Sequence, residues 1–252
     1  MPNKQLPVPG TKCALVTGAA RRIGAVIASR LHEDGANVAI HFRGSRQEAT
    51  ALRDRLNSAR ENSAEIFQAD LNDHQQLESL VQAVGNWSGG IDTLINNASS
   101  FYPTPLGSIT VEQWDDLIGS NLKVPLFLSQ AAFPMLKKAR GCIVNIVDIH
   151  AQRPLRDHTV YGAAKAGLAM LTRSLARDMA PDVRVNGVAP GAIIWPDDGI
   201  SGSSKDEILR QIPLGHQGQA SDIAGAVLYL VRDATYVTGQ IIAVDGGRSL
   251  GW

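Results

Sequence analysis

Tyr161 and Lys165 stand four apart in "YGAAK", and an acid, Asp148, lies thirteen positions before the tyrosine at the end of "GCIVNIVDIH". Helical residues four apart share one face, one turn apart, so Tyr161 and Lys165 are expected to meet. An ammonium beside a phenol favours its ionised form, which lets a tyrosine act as acid or base near neutral pH. Asp148 is unusual because it closes an apolar run, and burying an unpaired acid is costly. Its expected neighbour is Tyr161, since a carboxyl with a burial-raised pKa can share a proton with a phenol.

A second cluster follows the first apolar run, "KCALVTG". The stretch "TGAARRIG" (Thr17 to Gly24) puts a turn directly before a helical pattern. Free N–H groups at a helix N-terminus favour phosphate. Gly18 allows the turn, Gly24 lets the helix pack closely, and Ile23 lies between turn and helix. Arg22 stands where such turns often carry another glycine. It is either a surface cation or one held over phosphate or an anionic substrate group.

The end of the second strand selects the cofactor. An acid there would hold a ribose 2′-hydroxyl, but the chain reads "HFRGSRQEA", with no acid before Glu48. Arg43, Ser45 and Arg46 instead suit a 2′-phosphate, so NADPH is the expected cofactor. Asp70, next to Leu71 in "QADL", either faces an adenine amine or caps the following helix. Asn97 and Ala98 in "NNA" end the fourth strand against the cofactor.

Strands and helices must alternate to hold these residues. Apolar strand-like runs begin near Cys13, Asn37, Ala64, Ile91, Cys142, Val183 and Gln240, with helical patterns between them. Strands this apolar are covered on both faces, so the sheet should be parallel. The expected fold is a Rossmann-type doubly wound α/β sheet of about seven strands, a single domain over residues 1–252. Residues 111–139 read as one long helix or two. Residues 190–204, "PGAIIWPDDGISGSS", form a loop long enough to be a lid over substrate, with Trp195 as an aromatic wall or a packing residue.

Composition narrows the class. Lysine plus arginine and aspartate plus glutamate both total 24, which gives no bulk charge for nucleic acid or a membrane surface. No apolar run approaches a membrane span. The start "MPNKQLPVPG" has prolines where a signal peptide needs an apolar core. Cys13 and Cys142 lack metal or redox spacing and read as core residues. A reduced, cytoplasmic, soluble protein without a metal is expected.

Taken together, "TGAARRIG", "NNA", Asn121 in "GSNLKVP", "YGAAK", "VRVNGVAPG" and the late "VDGG" resemble the short-chain dehydrogenase/reductase family over nearly the whole chain. The resemblance implies that Tyr161 is the catalytic acid, Lys165 the ribose anchor and Asn121 the holder of a proton-relay water. It implies that Pro190 and Gly191 touch the cofactor. Most members carry serine at the position of Asp148. Within the family the chain resembles the pteridine reductases, which share the arginine in the turn (Arg22), "NNASSFYPTPL" and the aspartate. That implies a pterin or folate substrate stacked on Phe101, with Ser99, Arg22, Asp148, Tyr161 and Trp195 around it. It also implies a homotetramer built on residues 111–139 and 159–179; the apolar Trp252 in "RSLGW" suggests in addition a tail docked near a neighbouring subunit's site. Two other readings stay open: a 3-oxoacyl (carbonyl) reductase of the same family, and a catalytically idle NADPH-binding sensor.

Overall fold

A computed structural model describes residues 10–193 and 202–251. Strands β1 (Cys13–Val16), β2 (Asn37–Phe42), β3 (Ala64–Gln68), β4 (Thr93–Asn96), β5 (Cys142–Ile146), β6 (Arg184–Pro190) and β7 (Ile241–Val244) form one sheet in the order β3-β2-β1-β4-β5-β6-β7. All six pairings are parallel. The strand order reverses between β1 and β4, and ligands of such sheets bind outside the carboxyl ends at that point.

Alternation along each strand divides its side chains between two cores. Val38, Ile40 and Phe42 of β2 join one core with α1 (Arg22–Glu33), α2 (Arg46–Ala59) and α8 (Ala220–Arg232). Ala39, between them, joins the other core with α3 (His74–Ser88), α5 (Val124–Ala139) and α6 (Thr159–Asp178). Both faces are therefore covered, which is why these strands read as apolar runs rather than as alternating ones.

Three local features differ from, or refine, the sequence reading. Asp73, not Asp70, caps α3, accepting from the amides of Gln75 and Gln76. Residues 111–139 are neither one regular helix nor two separate ones. Helix α4 (Val111–Ile118) runs through a π turn, Gly119–Lys123, into α5, whose second residue, Pro125, lacks an N–H to donate. The 190–204 stretch is not all loop, since Pro190 ends β6 and Gly202 begins α7 (Gly202–Arg210). Trp195 lies outside the described residues.

Candidate active site

Asp148 leaves β5 and opens the short 3₁₀ turn Ile149–Ala151, and both its oxygens are engaged. Oδ1 accepts from the His150 amide at 2.8 Å, and Oδ2 accepts from the Tyr161 hydroxyl at 2.7 Å. The expected pair therefore exists. Tyr161 sits in the first turn of α6 and is only 5% exposed. Burial, the negative charge of Asp148 and the hydrogen bond to it push the Tyr161 pKa well above its usual value. A phenol held this way keeps its proton.

Lys165 shares the helix face of Tyr161. Its Nζ donates to the Ile146 carbonyl at 2.9 Å and lies 5.6 Å from the centre of the Tyr161 ring, over its face. Burial and Asp148 govern the phenol, and both oppose ionisation. Lys165 is 3% exposed, and burial lowers its own pKa to about 8, partly offset by Asp148. Its carbonyl partner fixes the amine at the end of β5, where a ribose would lie.

Two loops close over this pair. Phe101, 49% exposed, meets Tyr161 edge-on at 4.8 Å and stacks on His158 at 4.7 Å. Such offset and edge contacts suit the ring quadrupoles. Thr104 forms an isolated parallel bridge with His158, and its amide donates to Asp157, so the two loops are tied by backbone as well as rings. Tyr102 does not line the opening. It packs with Leu117, Val160 and Tyr161, and its hydroxyl donates to Asp116 at 3.1 Å. Asn121, buried in the π turn, donates from Nδ2 to the Ser100 carbonyl at 2.9 Å and the Leu117 carbonyl at 3.0 Å. Its buried Oδ1 has no protein partner among the described residues. Asn121 thus anchors the loop that carries Ser99 and Phe101; Ser99 itself is exposed.

At the other end, Thr17 and Asn97 clamp β1 to β4. Thr17 Oγ1 accepts from the amides of Asn97 and Ala98, each at 2.9 Å, and Asn97 Nδ2 donates to the Thr17 carbonyl at 2.8 Å. A side chain on Gly24 would put its Cβ 2.6 Å from Asn97 Nδ2 and closer still to the Gly18 carbonyl, which explains the glycine. Arg22 adopts φ of 54°, the left-handed conformation that glycine tolerates best. That accounts for the expectation of glycine at this place. No backbone carbonyl among the described residues accepts from the amides of Ile23 or Gly24, so the start of α1 offers donors to a phosphate.

Arg43 is exposed beyond β2, and Ser45 begins α2 without using its hydroxyl as a cap. Both remain available to a 2′-phosphate. Arg46 is already engaged, at 2.5 Å from Gln68 Oε1 and stacked over Phe42. Glu48 pairs with Arg21 across 3.7 Å, away from a ribose-binding role. Asp70 is half-buried and accepts from the Asn72 amide at 3.0 Å, with buried Leu71 beside it. This donor set and the close glycine contacts fit a dinucleotide, with the phosphates at Ile23 and Gly24, the adenosine phosphate at Arg43 and Ser45, and a ribose at Lys165.

Gly191, expected at the cofactor, follows β6 toward the far edge of the sheet. Gly191 lies so close to Asp245 that a Cβ would come within 2.6 Å of the Asp245 Cβ. Asp245 accepts from the amides of Gly247 and Ser249, folding the tail back. Arg153, just beyond the Asp148 turn, donates to the Gly251 carbonyl. Trp252 lies outside the described residues.

His158, Thr17 and His41 were not singled out from the sequence. His158 stands at a helix start, where its stacking on a residue 57 positions away leaves no local trace. Thr17 was visible only as part of the turn motif. His41 looks like one more residue of an apolar strand.

A family profile described as enoyl-(acyl carrier protein) reductase matches residues 18–249. A 3-oxoacyl-(acyl-carrier-protein) reductase of Staphylococcus aureus is 39% identical over 241 residues, covering 94% of this chain and 98% of that one. Pteridine reductase 1 of Leishmania tarentolae is 37% identical over 283 residues, covering 96% and 98%. An uncharacterized oxidoreductase of Methylorubrum extorquens is 34% identical over 242 residues, covering 94% and 97%.

Proposed function

The chain belongs to the short-chain dehydrogenase/reductase family, and from that premise we propose that it is an NADPH-dependent pteridine reductase. The coarser statement, a reductase of this family using a nicotinamide cofactor, does not depend on the substrate. The observation that carries the finer reading is the Tyr161–Asp148 hydrogen bond of 2.7 Å beneath the exposed ring of Phe101. A serine at position 148 would orient a carbonyl. A carboxylate instead holds the tyrosine proton and can replace it.

NADPH, when bound, supplies a hydride to a ring carbon of the pterin. The adjacent ring nitrogen then needs one proton, and Tyr161 is the donor. Asp148 is half-buried, so it can take a proton from water and return it to Tyr161. Lys165 holds the ribose and puts a positive charge near the phenol as it gives up its proton. Phe101, pinned by His158 and by Asn121 through Ser100, offers a flat face to a flat heteroaromatic substrate. Arg22, exposed in the glycine turn, is assigned to phosphate or to an anionic part of the substrate.

A 3-oxoacyl reductase is the second reading, favoured by the Staphylococcus relative, whose identity to this chain is as high as that of the Leishmania protein. An NADPH-oxidation panel with dihydrobiopterin, dihydromonapterin, dihydrofolate and a 3-oxoacyl thioester separates them. Turnover of the pterins or the folate, lost in Asp148→Ser with NADPH binding retained, is the expected result. Turnover of the thioester alone would overturn the pterin reading.

Exposed apolar residues on two of the helices assigned to a tetramer, Val111 at 70% and Met170 at 60%, support that assembly, and light scattering tests it. A monomer would remove it.

A further inference from the structure

His41 is a buried titratable residue that the mechanism above does not use. It sits near the end of β2, 2% exposed, between the glycine turn and the loop that follows β3. Its Nδ1 lies 3.1 Å from the Gly18 amide and must accept that proton. Its Nε2 lies 3.1 Å from the Ala69 carbonyl and must donate. The two bonds together require the neutral Nε2–H tautomer. The His41 carbonyl also accepts from the Ala19 amide at 2.9 Å, so backbone and ring hold adjacent residues of the turn.

Burial is consistent with the same state. It lowers the ring's pKa to about 4, while the Ala69 carbonyl and the charge of Asp70 act weakly in the other direction. The ring is therefore neutral throughout the physiological range. A cationic ring would have a proton on Nδ1 facing the Gly18 N–H and would lose that bond.

Three parts of the nucleotide end meet at this one side chain. Gly18 precedes the open amides of α1. Ala69 precedes Asp70 and Leu71. Arg43 and Ser45 lie two and four residues after His41. Parallel pairing fixes the strands themselves but not the turns beyond them, where the backbone ladder ends. We propose that His41 is a positioning residue for the cofactor, its neutral imidazole fixing the glycine turn, the end of β2 and the loop after β3 relative to one another. The inference rests on the NADPH part of the function proposed above and is independent of the substrate.

Two full-length variants and one measurement on the unaltered protein test it. His41→Leu removes both bonds and keeps an apolar side chain in place. His41→Asn keeps an acceptor for Gly18 close to the Nδ1 position. NADPH affinity is read by titration calorimetry and folding by thermal melting. His41→Leu is expected to weaken NADPH binding about tenfold or more, in line with loss of one or two net hydrogen bonds at the site. His41→Asn is expected to recover most of that loss. NADPH affinity unchanged in His41→Leu, whatever its melting temperature, would make His41 a packing residue only and overturn the inference.

The third measurement stands even if His41→Leu does not fold. Imidazole ¹⁵N shifts of the unaltered protein should report a protonated Nε2 and an unprotonated Nδ1, both with and without NADPH. A cationic ring or the Nδ1–H tautomer would also overturn the inference. Failure of the unaltered protein to bind NADPH would instead count against the cofactor assignment itself.

Discussion

Asp148, Tyr161 and Lys165 are each held by a bond to another residue of the chain, whereas Arg43 is exposed, Ser45 leaves its hydroxyl unused as a cap, and the amides of Ile23 and Gly24 meet no backbone acceptor among the described residues. At the chemical end the reactive groups hold one another through hydrogen bonds. The proposed nucleotide end presents donors suited to anions, beside the bonds made by Thr17, Asn97 and His41. Proton transfer gains from groups held at fixed geometry. Phosphate binding tolerates exposed, flexible cations because charge acts over longer range. Substitutions at the two ends should therefore fail differently, in rate at one and in affinity at the other.

The sharpest contrast comes from Tyr161→Phe. It keeps the ring contact with Phe101 but removes the proton, and it should lower kcat by about 10²–10⁴-fold while leaving the NADPH Kd nearly unchanged. Steady-state rates and calorimetry on one preparation read both. Retained turnover would mean that water supplies the proton.

Arg43→Ala should do the reverse. Loss of a charge-assisted contact worth about 1.5–3 kcal/mol raises the KM for NADPH roughly tenfold or more, with kcat and the KM for NADH little changed. An equal loss toward NADH would place Arg43 away from the 2′-phosphate.

Lys165 joins the two ends, and its pH response checks that role. With a pKa of about 8, the ammonium is mostly present at pH 7 and mostly lost at pH 9. The positive charge attracts an anionic cofactor, so the Kd for NADPH should rise as pH climbs through 8, by at most about tenfold between pH 7 and 9. Lys165→Met should flatten that rise. A slope that persists in the variant would assign it to another group.

The smallest effect is expected at Arg22. Its left-handed backbone costs about 1 kcal/mol, which Arg22→Gly relieves, and in a domain of this size that raises Tm by about 2–4 °C. The same change should weaken NADPH or pterin binding, so stability and affinity would move in opposite directions. If affinity is unchanged, Arg22 is a surface cation.

Much of this site was legible without coordinates. The four-residue spacing of Tyr161 and Lys165 survives as one helical face because helix geometry is local. The seven parallel strands follow from runs whose two faces are both covered. Gly18 and Gly24 mark contacts that only a missing side chain permits. The Asp148–Tyr161 pair was also foreseeable, since an acid closing an apolar strand calls for a partner.

Other features depended on distant parts of the chain. Helix periodicity brings Lys165 to the right face, but the Ile146 carbonyl decides where its amine points, and burial with Asp148 decides that the phenol keeps its proton. The cap of α3 passed from Asp70 to Asp73 because only Asp73 stands at the helix start with free amides within reach. Phe101 found His158, and His41 found Gly18 and Ala69, across strand crossings that leave no periodic signal. What the sequence determined by itself were the elements and the residues facing each way along them, because these depend on neighbours a few positions apart. What only the tertiary structure decided was which donor meets which acceptor at the strand ends, because there the regular hydrogen-bond ladder stops and partners come from other segments.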